Sequence, residues 1–222
     1  MRPLQPDVIV LYEGFNDLLV EMRMAAESQG VYARRTEQGM ARWSLGWDLL
    51  TKNMQIAVAR NRSKVGQQAF VIDRAQVSRE FGRKLMGMTE RSGEVAPIVA
   101  VATLSYRMRR NQSLDEQIAA AEAALFYMPF LSPTGMIDIY DRYNETIRQV
   151  ARTEHAILIG QEDSIPGDAT HFHDSVHFAD AGAELMTERV VAALTASDRF
   201  QSLMETHRAS ARRSASLQMR SQ

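Results

Sequence analysis

Near the end of the chain, Asp174-Ser175-Val176-His177 sets a carboxylate and an imidazole three positions apart in a polar stretch that runs into a helical pattern. That spacing lets the Asp turn back onto the imidazole, fix its tautomer and stabilise the imidazolium once the ring has taken a proton. A His held this way is a general base, and it needs a nucleophile and a donor for the developing negative charge. A candidate donor stands near the other end, in Gly14-Phe15-Asn16-Asp17. Gly14 lets the backbone approach a substrate closely, and Asn16 has a side-chain amide to aim at an oxyanion. His171 and His173 are placed in the loop lining the mouth of the site. With Asp174 and His177 they offer metal-ligand types within seven residues, and His173 and His177 have the spacing of a zinc-binding helix. The loop composition disfavours a helix there, so metal binding ranks below acid–base chemistry, and neither a cofactor nor a metal is implied.

These groups must be held by regular elements. Residues 7–12, Asp-Val-Ile-Val-Leu-Tyr, form an unbroken, β-branched apolar run, which reads as a strand buried on both faces. An amphipathic helix follows to about Ser28, with Asn16 or Asp17 as its N-cap. Residues 30–68, with Arg34-Arg35, Trp43 and Trp47, read as a helical insert whose Trp side chains pack it onto the body. A second helix is expected over 73–91, with Val77, Phe81, Leu85 and Met88 on one face, then a turn at Ser92-Gly93-Glu94. A second strand follows at 97–103. Ser105 sits just past it, and Arg107, Arg109 and Arg110 lie in a basic loop that is either solvated or an anion clamp. Helical patterns at 114–127 and 137–152 flank a break at Pro129–Gly135. A third strand at 155–159, the loop 160–177, and a last helix from Asp180 to Ala196 with Met186, Val190 and Leu194 buried complete the domain. Residues 197–222, rich in Ser and Arg, read as a frayed or disordered tail. Buried strands alternating with helices predict an α/β three-layer sandwich on a parallel sheet, over residues 1–196.

Composition narrows the function classes. The chain has 222 residues, 45% hydrophobic and 24% charged, with a formal net charge of −1. A near-neutral chain gives no electrostatic case for nucleic acid or an anionic membrane. No apolar run approaches the ~20 residues of a membrane span. With no cysteine, thiol catalysis, disulfides and thiolate metal sites are excluded.

The two blocks together, Val8-Ile-Val-Leu-Tyr-Glu-Gly-Phe-Asn-Asp-Leu18 and His173-Asp-Ser-Val-His-Phe-Ala-Asp-Ala-Gly-Ala-Glu-Leu-Met186, resemble the third and fifth conserved blocks of the SGNH (GDSL-type) hydrolases. That family comprises esterases and lipases on a flavodoxin-like sandwich. The resemblance implies that His177 is the base, Asp174 the acid that orients it, Asn16 an oxyanion donor, and Gly14 and Asp17 structural residues of the Asn block. It implies a small-molecule, glycan or lipid ester as substrate. The chain departs from the family at its nucleophile: no Gly-Asp-Ser occurs, and Gly167-Asp168-Ala169 is the nearest string. It therefore reads as the family's domain without its first two strands. Ser105 and Ser175 are the substitutes to test, and a non-catalytic binding module is the rival reading. Without the family's first strand, the run at 8–12 becomes an unpaired edge, open to oligomer formation.

Overall fold

The structure is a computed structural model that describes residues 5–32, 70, 73 and 76–220. Trp43, Trp47 and the expected insert from residue 33 onward lie outside the described residues. The described chain is a mixed α/β fold with seven α-helices and a three-stranded parallel sheet. In chain order these are β1 (Val8–Leu11), α1 (Phe15–Ser28), α2 (Arg79–Val95), β2 (Ile98–Ala102), α3 (Leu114–Ala120) and α4 (Glu122–Tyr127). Then come α5 (Pro133–Thr153), β3 (Ile157–Ile159), α6 (Asp180–Thr195) and α7 (Asp198–Arg220). The strand order is β1-β2-β3, with Val8 opposite Ile98 and Ala100 opposite Ile157. β1 is thus an edge of the described sheet, with Val10 40% exposed.

Side chains of the central strand alternate between two cores, as the two-residue strand period requires. Val101 faces the larger one, with Leu18 and Met22 of α1, Phe81 and Leu85 of α2, and Tyr143 and Ile147 of α5. Ala100 and Ala102 face the smaller one with Ile159, against Met186, Val190, Ala193 and Leu194 of α6. The small side chains on that face let α6 approach closely. Because all three strands run parallel, the segments leaving Leu11, Ala102 and Ile159 emerge at the same end of the sheet.

Several boundaries differ from the sequence reading. α1 starts at Phe15, with Gly14 at the N-cap and no capping side chain, so neither Asn16 nor Asp17 caps it. Gly14 turns the chain into the helix early, at φ 141°, and leaves the Asn16 side chain exposed. The turn expected at Ser92–Glu94 is instead the end of α2, which runs on to Val95 and closes with the Ala96 N–H donating to the Ser92 carbonyl. α5 starts at Pro133, where Ser132 accepts from the Gly135 N–H and the proline fits the first helical turn. The tail, expected to be frayed, is the helix α7. Its Arg199 donates to the carbonyls of His155 and Pro97 at 2.8 Å each, tying the helix start to the sheet's far end.

Candidate active site

The segment 171–179 is a narrow hairpin. Phe172 bridges Phe178, with the His173 N–H donating to the His177 carbonyl and the Ala179 N–H to the His171 carbonyl, both at 2.9 Å. Asp174 opens its turn: one carboxylate oxygen accepts the N–H groups of Val176 and His177 at 2.9 Å each. The other lies 2.7 Å from His177 Nδ1. Burial acts to raise the Asp174 pKa, but the two N–H groups and the imidazole outweigh it and hold the carboxyl below its ordinary value. The carboxylate is then an acceptor only, so Nδ1 carries a ring proton, and in the neutral imidazole the lone pair is on Nε2. The His177 side chain is 76% exposed, which leaves that lone pair open to an incoming proton donor.

The hairpin is fastened from below. The Ser175 carbonyl accepts from the Arg107 N–H at 2.9 Å, and its hydroxyl accepts from the Ala124 N–H at 3.1 Å. Behind it, α6 packs so close that a Cβ on Gly182 would sit 2.1 Å from the His171 carbonyl oxygen. Only glycine fits there.

Tyr12, just after β1, joins this hairpin to the start of α1, where Asn16 lies. Its ring stacks on Phe178, the neighbour of His177, with centroids 6.2 Å apart, and meets Phe15, the neighbour of Asn16, edge-on at 6.1 Å. Its hydroxyl accepts from the Ser105 N–H at 3.3 Å. Phe15 also packs against Tyr140, whose pKa is raised by burial and by the charge of Asp174. The Asn block and the Asp–His block are therefore neighbours at one end of the sheet. Gly14 permits this: besides its positive φ, a Cβ there would lie 3.0 Å from Leu104 Cδ1 and 3.1 Å from Phe81 Cζ. Asp17 is turned away from the hairpin, in an ion pair with Lys84 at 3.1 Å.

The other singled-out residues have different fates. Ser105 is fully buried; its hydroxyl donates to the Glu162 carbonyl at 2.9 Å and accepts from Arg189 at 2.5 Å. Ser175 is 2% exposed and also engaged, so both substitute hydroxyls are spent on structure. His173 is exposed, opposite His177 across the hairpin. His171 forms a second Asp-x-x-His pair, its Nδ1 2.7 Å from Asp168. Among the described residues, no group of three or more His, Asp or Glu is placed to hold a metal ion, and His173 and His177 lie in the turn closed by the Phe172–Phe178 bridge rather than on a helix. No described helix is long and apolar enough to cross a membrane.

Sequence reasoning missed Tyr12, Asn144 and Arg189. Asn144, fully buried on α5, accepts from the Leu104 N–H at 2.7 Å and donates to its carbonyl at 3.0 Å. Arg189, on α6, holds Gly160, Ser105 and Thr103. Its signal was present, since it falls three residues after Met186 on the face taken to be apolar. Searches against family models, curated proteins and solved structures find no match to the chain.

Proposed function

We propose that this end of the sheet is an ester-hydrolysing site of the SGNH type, on a three-layer flavodoxin-like sandwich. The reading rests on one observation: an oriented imidazole with a free Nε2, coupled through Phe178, Tyr12 and Phe15 to the first turn of α1, which carries Asn16. His177 takes the proton from an attacking hydroxyl, Asp174 stabilises the imidazolium, and Asn16 donates to the carbonyl oxygen as it becomes negative. The imidazolium then returns its proton to the departing alkoxide. In the resembled family that hydroxyl belongs to a Ser. Neither buried Ser here is free for that role, so water is the hydroxyl this His can deprotonate within the described chain. Activity from binding and oxyanion stabilisation alone reaches ~10³–10⁴ over water in triad enzymes stripped of a member, and one amide donor should yield less.

The engaged state of Ser105 and Ser175 favours a second reading, a site that binds esters without turning them over. Hydrolysis of a short-chain p-nitrophenyl ester by the wild-type chain and by His177→Ala separates the two. A rate above background that falls in the variant supports hydrolysis. Equal rates refute it and leave the binding reading.

A further inference from the structure

Three of the chain's five histidines fall within residues 171–177, and two of them share one side of the hairpin. The His173 N–H donates to the His177 carbonyl just inside the Phe172–Phe178 bridge, which makes residues 173 and 177 directly opposed neighbours. Side chains alternate along each arm. Phe172 and Phe178 point to one side, where their ring centroids lie 5.2 Å apart and Phe172 is buried. His173 and His177 therefore project to the other side, and both are exposed. Opposed residues of this kind hold their Cβ atoms about 4.5–5.5 Å apart, so the two imidazoles can exchange a proton directly or through one water.

The rings differ in their freedom. Asp174 holds Nδ1 of His177 at 2.7 Å, and Asp168 holds Nδ1 of His171 at the same distance. The His173 ring has no hydrogen-bond partner among the described residues. A base fixed by a carboxylate is suited to one oxygen, the attacking one. The oxygen that leaves is a different atom on the same carbonyl carbon, and an unheld ring beside the base can turn to meet it.

We propose that His173 is a second catalytic residue, which relays the proton taken by His177 to the departing alcohol. His177 Nε2 accepts a proton as the oxygen of water bonds to the ester carbonyl carbon. When the tetrahedral intermediate collapses, the bond from that carbon to the alcohol oxygen breaks and its electron pair leaves with the alkoxide. The alkoxide takes a proton from the His173 imidazolium, and the His177 imidazolium restores it, so both rings end as they began. The substrate class that needs this relay is an ester of an unactivated alcohol, whose alkoxide is too basic to depart unprotonated. The proposal rests on the ester-hydrolase reading, but it can fail separately from it.

The test compares two butyrate esters with the full chain: p-nitrophenyl butyrate, whose phenolate leaves without a proton, and ethyl butyrate, whose ethoxide needs one. His173→Gln should lower kcat/KM for the ethyl ester at least tenfold more than for the p-nitrophenyl ester, within the ~10²–10⁴ that a general acid contributes. His173→Ala should change the ratio in the same direction, and it serves if the glutamine variant does not fold by circular dichroism. His177→Ala should lower both rates alike. Equal losses on the two esters in the His173 variants, or no loss on either, refute the relay alone. Turnover of neither ester by the wild-type chain refutes the hydrolase reading and the relay with it.

Discussion

Replacing Arg189 by Met should loosen the end of the sheet that carries the site. Arg189 is 7% exposed, and its guanidinium donates to the Gly160 carbonyl at 2.9 Å, the Ser105 hydroxyl at 2.5 Å and the Thr103 hydroxyl at 3.1 Å, with a longer contact to the Ile159 carbonyl at 3.3 Å. Methionine keeps most of the aliphatic stem and removes every donor. Three charge-assisted bonds at ~1.5–3 kcal/mol each would sum to more than the observable effect, because the mutation also relieves the burial of a cation. That burial is visible in the lowered pKa of Arg189, for which desolvation is the largest cause. Balancing the two leaves a destabilisation of about 3 kcal/mol, within the range for removing one partner of a buried charged cluster. For a chain of this size, it corresponds to a Tm lower by about 6–12 °C. Urea denaturation followed by far-UV circular dichroism gives the number directly. A loss under about 1 kcal/mol would refute the claim that these contacts hold β2 and β3 together at their carboxyl ends.

Three further outcomes follow from the same geometry. Gly14→Ala forces a positive φ on a residue with a Cβ and presses it on Leu104 and Phe81. It should cost about 1–3 kcal/mol in chemical denaturation and displace the first turn of α1 with Asn16, which an unchanged midpoint would contradict. Asn144→Leu fits the volume but strands the Leu104 N–H and carbonyl, for a loss of about 2–4 kcal/mol in the same assay. Asp174, with its pKa held below the ordinary 3.8, stabilises its turn fully above that value, and the contribution is lost as pH falls through the lower folded-state pKa. The amide resonances of Val176 and His177 should therefore titrate with a midpoint below 3.8, and a midpoint at or above it would show that the two N–H groups do not grip the carboxylate.

The three strands were legible because each is a short apolar run between breakers, and the position of α6 was legible from Asp180 onward. The end of α2 was not, since Ser92-Gly93-Glu94 has turn composition, yet the helix carries through it to Val95. α7 was missed for a related reason: composition reads Ser and Arg as solvated, whereas Arg199 finds two backbone carbonyls to cap. Within the site, the Asp174–His177 contact follows from local spacing and was readable. The polar supports that aim the loops, Asn144 on Leu104 and Arg189 on Ser105, join residues 40 and 84 positions apart, and no local pattern announces such partners.

The second Asp-x-x-His pair shows why spacing alone does not make a base. Asp168 accepts from the N–H groups of Thr170 and His171 and meets His171 Nδ1 at 2.7 Å, the same set of partners that Asp174 makes with His177, except that one Asp168 oxygen takes all three contacts while Asp174 divides them between its two. Both are local turns that an Asp closes on the backbone ahead of it, and both hold their carboxylates below the ordinary pKa. The surroundings separate them. The His171 side chain is 18% exposed, with its carbonyl pressed against Gly182 under α6, whereas the His177 side chain is 76% exposed beside the ring that stacks on Tyr12. A proton acceptor has to meet its donor, so the chemical assignment follows access and the neighbouring Asn16 turn of α1 rather than the motif. By that criterion, His171→Ala should leave any ester hydrolysis within about twofold of wild type, while His177→Ala abolishes it; a larger loss in the former would move the base to the inner pair.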